Sequence, residues 1–242
     1  MRALACFLLL IALLPSTFAS AQPLRIVTEP WAPYVYLNGS EPAGVDYEIA
    51  AHVFKRLGVQ VEWEFLPWKR CLMMLQQDQA DGILDIFHTT AREQTLVYAD
   101  EGLSKVEFAL YQANERPVPV ARLRDLRGLR VGVAPGFLYG PAFSASQALK
   151  EPAPTLEANF GKLMLGRVDL VITDRRVGRF TLQQMKLTEQ VSELPGTLNT
   201  DVLYLALRRR GDLPALAEQF TTALREFKRE PEYRALLKRY GL

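Results

Sequence analysis

The sequence has few cysteines, a single long hydrophobic run and no excess of charge of either sign. Its 242 residues include two cysteines, and its 29 Lys and Arg residues nearly balance its 27 Asp and Glu residues. Binding to nucleic acid needs a concentrated basic face, so this balance argues against nucleic acid and favours a small partner. The sequence has no Ser/His/Asp motif, metal-ligand spacing or cofactor loop, which predicts neither a cofactor nor a metal.

The hydrophobic run lies at the N-terminus, where residues 6–14 read CFLLLIALL. Arg2 precedes the run, and the small residues Ala-Ser-Ala follow it at positions 19–21. This is the pattern of a secretory signal peptide, and the run is shorter than the roughly 20 apolar residues of a membrane span. We therefore predict a signal peptide over residues 1–21 and a periplasmic mature protein. Its sole cysteine would be Cys71, so no intrachain disulfide is expected.

Strands alternate with helices in the first part of the sequence. Residues 24–28 (LRIVT), 59–67 (VQVEWEFLP) and 82–87 (GILDIF) favour strands. Between them, residues 44–58 place apolar side chains at helical spacing and stop at a glycine, and residues 67–80 predict a second helix. This order predicts an α/β fold with parallel strands and helices on both faces of the sheet.

A second unit repeats this order. Residues 129–134 (LRVGVA) predict a strand, a helix follows near residues 157–166, and a strand over 168–173 ends at Asp174. The repeat predicts two lobes, with the extended stretches 106–113 and 201–209 as candidate hinges between them. We expect the first part of lobe 1 at residues 22–109, lobe 2 at residues 110–204, and a helical segment returning to lobe 1 at residues 205–242.

Six segments of the sequence together resemble one family. They read TEPWAPYVY, GVDYEIAAHVFKRLG, TTAREQTLVYAD, LRDLRGLRVGVAPG, GRVDLVITD and LLKRYGL. In order and spacing they are similar to the periplasmic solute-binding proteins of polar amino-acid ABC transporters, which are family 3 of the bacterial extracellular solute-binding proteins. Within that family they resemble the histidine- and lysine/arginine/ornithine-binding type.

The resemblance implies a type II periplasmic-binding-protein fold, in which two hinge strands join two lobes and a ligand cleft lies between them. It also implies a monomer that captures a small polar, amino-acid-like solute by closing its lobes. The partner that receives the solute would be the permease of an ABC transporter.

The resemblance places four residues at the ligand. Arg92 matches the residue that grips a carboxylate, for which paired guanidinium N–H groups are suited; the alternative is a surface arginine. Asp174 matches the aspartate that takes the α-ammonium group at the carboxyl end of a strand; the alternative is a helix cap. Trp31 and Trp68 match the side-chain pocket, where flat apolar faces can stack on a solute.

Further candidates come from the same segments. Glu29 matches an acid near the distal end of the ligand, or is a solvated loop carboxylate. Tyr34 either lines the cleft or wedges its loop against lobe 1. Gly136 lets the backbone approach a ligand or only turns the chain, and Leu138 and Tyr139 would follow it into the cleft.

Asp85 and Phe87 depart from the family, which usually places small hydroxyl residues at these positions. Asp85 would hold a more cationic ligand, whereas Phe87 would shrink the site. Lys69 and Arg70 would add positive charge at the mouth of the site, although Lys69 suits a solvated helix face better. These departures leave the identity of the ligand open.

Two other functions are compatible with the same scaffold. A periplasmic, dehydratase-like enzyme would use an acid and a base from the cleft, for which Asp85, His88 and Asp174 are the candidates. A ligand-sensing partner of a receptor would share the binding chemistry and differ only in its docking surface. Binding without catalysis is the favoured interpretation.

Overall fold

The computed structural model describes residues 22–242, so the predicted signal peptide lies outside the described residues. Within residues 22–242, no helix combines the length and the apolar character needed to cross a membrane. The secondary structure of this range is a mixture of strands and helices, as the alternating pattern of the sequence predicts.

The first part of the chain follows the predicted order of strands and helices, with a short hairpin added. The hairpin turns at Gly39 and was not predicted, because each of its strands has three residues and no clear alternation. The elements are β1 (Leu24–Thr28), β2 (Tyr36–Asn38), β3 (Glu41–Ala43), α1 (Val45–Arg56), β4 (Val61–Phe65), α2 (Trp68–Gln76), β5 (Gly82–Phe87), α3 (Thr90–Glu93) and β6 (Leu96–Tyr98).

The rest of the chain contains the second α/β unit and two C-terminal helices. A 3₁₀ turn at Leu123–Leu126 precedes β8. The elements are β7 (Lys105–Ala113), β8 (Arg130–Val133), α4 (Pro141–Ser144), β9 (Leu149–Pro152), α5 (Leu156–Met164), β10 (Leu170–Asp174), α6 (Arg175–Gln184), β11 (Val191–Glu193), β12 (Asn199–Arg208), α7 (Leu213–Phe227) and α8 (Pro231–Arg239).

One continuous sheet runs through both halves of the fold, in the order β4-β1-β5-β12-β7-β10-β8-β9. The outer strands pair in parallel within each half: β1 with β4 and β5, and β8 with β9 and β10. The central strand β12 is antiparallel to β5 and to β7. Parallel pairing within each α/β unit agrees with the prediction, because a helical crossover returns each strand in the same direction.

The two halves meet along β7 and β12, which lie in the two stretches predicted as hinges. Residues 199–202 of β12 pair with β7. From Leu203 onward the partner of β12 is β5. The lobe boundaries at 109/110 and 204/205 stay predictions, and the change of pairing partner lies slightly earlier, between Val202 and Leu203.

Helix α1 follows the predicted apolar spacing, and the C-terminal helices cover it. The chain leaves the helix at Gly58, whose φ of 69° is the left-handed conformation that a helix end favours. Helices α7 and α8 both pack against α1, so the C-terminal segment lies on the first half of the fold. The buried apolar residues of α1 are Val45, Ile49, Ala50, Val53 and Phe54.

Strands β5 and β10 carry the residues predicted to bind the ligand. Every residue of both strands is buried, as expected for strands that are covered by helices on both faces. A polar side chain on either strand therefore needs a partner inside the protein or a cavity to face.

Candidate functional site

A cavity lies where the loops at the carboxyl ends of β1 and β5 meet the loop that follows β8. The space between its lining atoms, open solvent included, is about 430 Å³. The first half of the fold supplies most of the wall, and residues 136–138 close it from the second half. The lining residues are Thr28, Glu29, Trp31, Trp68, Leu84, Asp85, Phe87, Arg92, Gly136, Phe137 and Leu138.

The structure brings eight of the twelve predicted residues to this cavity. Three lining residues were not predicted: Thr28, Leu84 and Phe137. Phe137 directly follows Gly136 and precedes Leu138, which were both predicted to reach the cleft. The same reasoning would have selected Phe137. Thr28 and Leu84 are buried strand residues, and nothing in their residue types distinguishes them from ordinary core positions.

Arg92 lies on the one-turn helix α3, whose N-cap Thr89 accepts a hydrogen bond from the Arg92 backbone N–H. Its Nη1 donates to the carbonyl oxygen of Phe87 at 2.8 Å, and its guanidinium carbon lies 5.5 Å from the centre of the Trp68 ring. Among residues 22–242, no carboxylate lies within 4.0 Å of the guanidinium. Arg92 therefore places at the cavity a positive charge that no described carboxylate neutralises.

Aromatic rings from the two halves of the fold contact one another at the cavity. The ring of Phe137 lies 5.8 Å from that of Trp31 and 6.3 Å from that of Trp68, and both pairs meet edge to face. Trp31 also meets Phe87 edge to face at 6.4 Å. Such pairs add about 0.5–1.5 kcal/mol each beyond simple burial, so this contact stabilises the closed arrangement of the two halves.

Glu29 is a half-buried acid on the same wall. Its Oε1 accepts a hydrogen bond from the backbone N–H of Trp68 at 3.2 Å, at the start of α2. No donor from the described residues reaches its Oε2. Burial raises the pKa of Glu29, and the hydrogen bond from Trp68 opposes that rise only in part.

Asp85 occupies an irregular position in β5. The pairing of β5 with β12 shifts register between Tyr204 and Ala206, which is the mark of a β-bulge. Asp85 has a φ of 61°, an uncommon conformation for a residue other than glycine. Asp85 is one of the residues that line the cavity, and its two carboxyl oxygens are buried without an N–H or O–H donor among the described residues.

Asp174 does not line the cavity, because its carboxylate is used inside the fold. Its Oδ1 accepts hydrogen bonds from the N–H groups of Arg176 and Val177, so it caps α6. Oδ1 also accepts from the Tyr34 hydroxyl at 3.1 Å, and Oδ2 accepts from the Glu107 N–H at 2.8 Å. The structure thus displays the capping alternative, while the contact of Asp174 with an ammonium group stays a prediction.

Three more predicted residues lie outside this cavity. Tyr34 is fully buried, and its hydroxyl donates to Asp174 in the second half of the fold. Arg70 is exposed on α2 and faces solvent. Tyr139 is buried, its hydroxyl accepts a hydrogen bond from the Ala134 N–H at 2.7 Å, and it lines a neighbouring groove. Tyr34 was a candidate for its flat apolar ring, Tyr139 because it follows Gly136 in the loop, and Arg70 for its positive charge. Contact of these three with a ligand stays a prediction.

The neighbouring groove is wider and runs between the two halves. It holds about 1570 Å³, including open solvent. Glu29, Trp31 and Phe137 line both spaces, so these three side chains form the partition between the groove and the cavity. The groove and the cavity are therefore adjacent spaces.

The fold is shared with solved structures at low sequence identity. The arginine-, lysine-, histidine-binding protein ArtJ from the thermophilic bacterium Geobacillus stearothermophilus has a TM-score of 0.78 at 19% identity, covering 90% of this chain and 95% of that chain. A histidine kinase sensor domain with similarity to periplasmic binding proteins has a TM-score of 0.79 at 19% identity, covering 90% and 96%. The ancestral amino acid-binding protein AncCDT-1, a precursor of cyclohexadienyl dehydratase, has a TM-score of 0.76 at 20% identity, covering 90% and 95%.

These similarities confirm the predicted fold, the two-lobed α/β architecture of type II periplasmic binding proteins. The search of curated proteins found no match to this sequence. A family model, in contrast, matches residues 24–242, which is all but two residues of the chain beyond the predicted signal peptide. The chain therefore belongs to the bacterial extracellular solute-binding proteins, family 3.

Proposed function

We propose that this protein captures a small polar solute that carries a carboxylate, and that Arg92 holds that carboxylate. The observation that carries the proposal is the Arg92 guanidinium, which lines the cavity without an ion-pair partner among the described residues. A guanidinium matches a carboxylate through two parallel N–H donors. The ring of Trp68 lies against it and leaves the remaining N–H groups for a ligand.

An amino acid or a related compound is the ligand class that agrees best with the cavity. The Arg92 charge and the acids Glu29 and Asp85 lie on one wall, so both ends of a zwitterion find a partner of opposite charge. The aromatic rings of Trp31 and Phe137 close over that wall. Membership of family 3 supports a role outside the cytoplasm, and we propose delivery of the solute to an ABC importer from the periplasm.

Thermal-shift and calorimetric titrations of the purified protein test this proposal. The panel comprises the proteinogenic amino acids, the polyamine putrescine and the dicarboxylate succinate, after refolding has removed any solute carried through purification. We expect at least one carboxylate-bearing solute to stabilise the protein, because a ligand that binds only the folded state raises its stability. Arg92→Ala should weaken that binding by about 2–5 kcal/mol, which is at least about thirtyfold.

Arg70→Ala is the matched control, because it removes the same charge from an exposed position outside the cavity. It should leave the affinity within about twofold of wild type, since an exposed charge contributes little. Equal affinity of Arg92→Ala and wild type for every carboxylate-bearing solute would contradict the proposal.

Catalysis on the same scaffold has weaker support from the geometry. Of the three residues considered for acid–base roles, Asp85 alone lines the cavity. His88 is exposed and its Nε2 lies 2.8 Å from Glu93 Oε1, while Asp174 is engaged in capping α6. We therefore propose binding without chemical change, and product analysis after prolonged incubation with the bound solute should recover that solute intact.

A further inference from the structure

The groove beside the cavity is lined by side chains that the proposed function does not use. It is the larger of the two spaces, about 1570 Å³ against about 430 Å³, with open solvent included in both. The partition between them consists of Glu29 and Trp31 from the first half of the fold and Phe137 from the second. Movement of the lobes would part these side chains, so one solute can lie across Trp31 and occupy both spaces.

Two buried threonines of the second half line the groove with hydroxyl groups that have no partner. Thr173 in β10 is 5% exposed and Thr181 in α6 is 6% exposed. Among residues 22–242, neither hydroxyl has a hydrogen-bond partner, whereas Thr221 in α7 donates to a carbonyl oxygen one turn earlier. Both oxygens keep some accessible surface, unlike the fully covered Oδ1 of Asn159 on the same wall. Because an unpartnered buried hydroxyl is costly, the two threonines indicate a ligand group in the groove.

The charges and the shape of the groove favour a flat, uncharged group. Among the described residues that line it, the charged ones are Glu29 and Glu157, and both are acids that would repel an anion. Gln184 adds a neutral amide to the hydroxyls of the second half. An amide group of the ligand suits these side chains, because it offers donors and acceptors without charge and has apolar faces. Apart from Glu29, the wall from the first half is largely apolar, and includes Pro30, Leu66 and Pro67.

We propose that the ligand is an α-amino acid with a long side chain that ends in an uncharged amide, and that Thr173 and Thr181 bind this amide. The inference rests on the proposed function and deepens it, since it names the class of the solute. The carboxylate of the ligand stays at Arg92, and its side chain passes Trp31 into the groove. The cavity then selects the amino-acid head, and the groove selects the length and the charge of the side chain.

Calorimetric titration with three amino acids tests this assignment. Nε-acetyl-L-lysine carries the amide, L-norleucine has the same straight carbon chain without it, and Nε-succinyl-L-lysine adds a carboxylate beyond the amide. We expect Nε-acetyl-L-lysine to bind at least about tenfold more tightly than L-norleucine, because its amide gains hydrogen bonds to two buried hydroxyls. Nε-succinyl-L-lysine should bind at least about tenfold more weakly than Nε-acetyl-L-lysine, since its carboxylate meets the acids of the groove.

The double variant Thr173→Val with Thr181→Val removes both hydroxyls and nearly keeps the shape of the side chains. It should show the circular dichroism of wild type and bind Nε-acetyl-L-lysine at least about fivefold more weakly. The loss should be confined to the amide-bearing probes, so the affinity for L-norleucine should change less than about twofold. Thr188→Val is the matched control, because Thr188 is exposed and lies outside the groove.

A second pair of variants fills the groove instead of removing hydroxyls. Gln184→Trp places a bulky ring in the groove, whereas Gln183→Trp places the same ring on another face of α6. We expect the first variant to weaken the binding of Nε-acetyl-L-lysine at least about fivefold and the second to leave it within about twofold. This pair decides the question should the double valine variant not fold.

The outcomes distinguish this inference from the proposed function. If carboxylate-bearing solutes bind through Arg92 but Nε-acetyl-L-lysine binds no more tightly than L-norleucine, this inference is overturned and the proposed function stands. The same holds if Nε-succinyl-L-lysine binds as tightly as Nε-acetyl-L-lysine, or if neither the double valine variant nor Gln184→Trp weakens binding. If none of these three probes and no carboxylate-bearing solute of the earlier panel binds, both are overturned.

Discussion

Replacement of Asp174 by alanine should destabilise the fold far more than the loss of one surface acid. The side chain accepts four hydrogen bonds: from the backbone N–H groups of Arg176, Val177 and Glu107, and from the Tyr34 hydroxyl. Loss of a helix cap costs about 0.5–2 kcal/mol, and each buried donor left without a partner costs about 1–3 kcal/mol. Water will satisfy some of these donors, so we expect Asp174→Ala to lower the free energy of unfolding by about 3–5 kcal/mol.

Urea denaturation followed by circular dichroism and by tryptophan fluorescence measures this loss. Asp212→Ala is a close control, because Asp212 stands at the N-cap of α7 but its side chain makes no capping hydrogen bond. That variant should lose less than about 1 kcal/mol. If Asp174→Ala were no less stable than Asp212→Ala and yet failed to bind the solute, Asp174 would be the ammonium-binding residue that the resemblance implies, and the reasoning from its hydrogen bonds would be refuted.

Two further predictions concern the packing of the first lobe. Gly44→Ala should lower the free energy of unfolding by more than about 2 kcal/mol. Gly44 has a φ of 118°, and a Cβ there would collide with the Tyr34 carbonyl oxygen. Gly39 has open space around it, so Gly39→Ala should lower the free energy of unfolding by only about 1 kcal/mol. Burial and the charge of Glu29 raise the pKa of the Cys71 thiol to about 12, so at pH 8 a disulfide reagent should label the native protein about a thousandfold more slowly than the urea-unfolded protein. Rapid labelling of the native protein would contradict the burial of Cys71, and equal losses at the two glycines would contradict the collision.

The sequence was sufficient to predict those parts of the fold in which the side-chain period is long and regular. Helix α1 and strand β5 were found because their apolar residues recur over six or more positions. Short elements such as β2, β3 and β9 were missed, since three or four residues show no period and their pairing is decided by the tertiary structure.

The candidate site was predicted less completely, because position along the chain does not determine where a side chain points. Arg92 and Asp174 were both chosen because they match ligand-binding residues in motifs of the family. The structure places Arg92 at the cavity without an ion-pair partner among the described residues, whereas both oxygens of Asp174 accept hydrogen bonds inside the fold. Asp85 was recognised as a departure from the family, but the irregularity of β5 that gives this residue a φ of 61° leaves no local pattern in the sequence.

The strand β12 gives the two lobes a mechanical link rather than a flexible tether. Its first residues pair with β7 and its later residues with β5, so one uninterrupted backbone belongs to both halves of the sheet. Opening the groove must then twist an antiparallel hydrogen-bonded ladder, and elastic energy accumulates with the angle of opening. The stiffness of that ladder limits how far the lobes can open. The strain released when the ladder relaxes supplies part of the closing energy, and a bound solute has to supply only the rest.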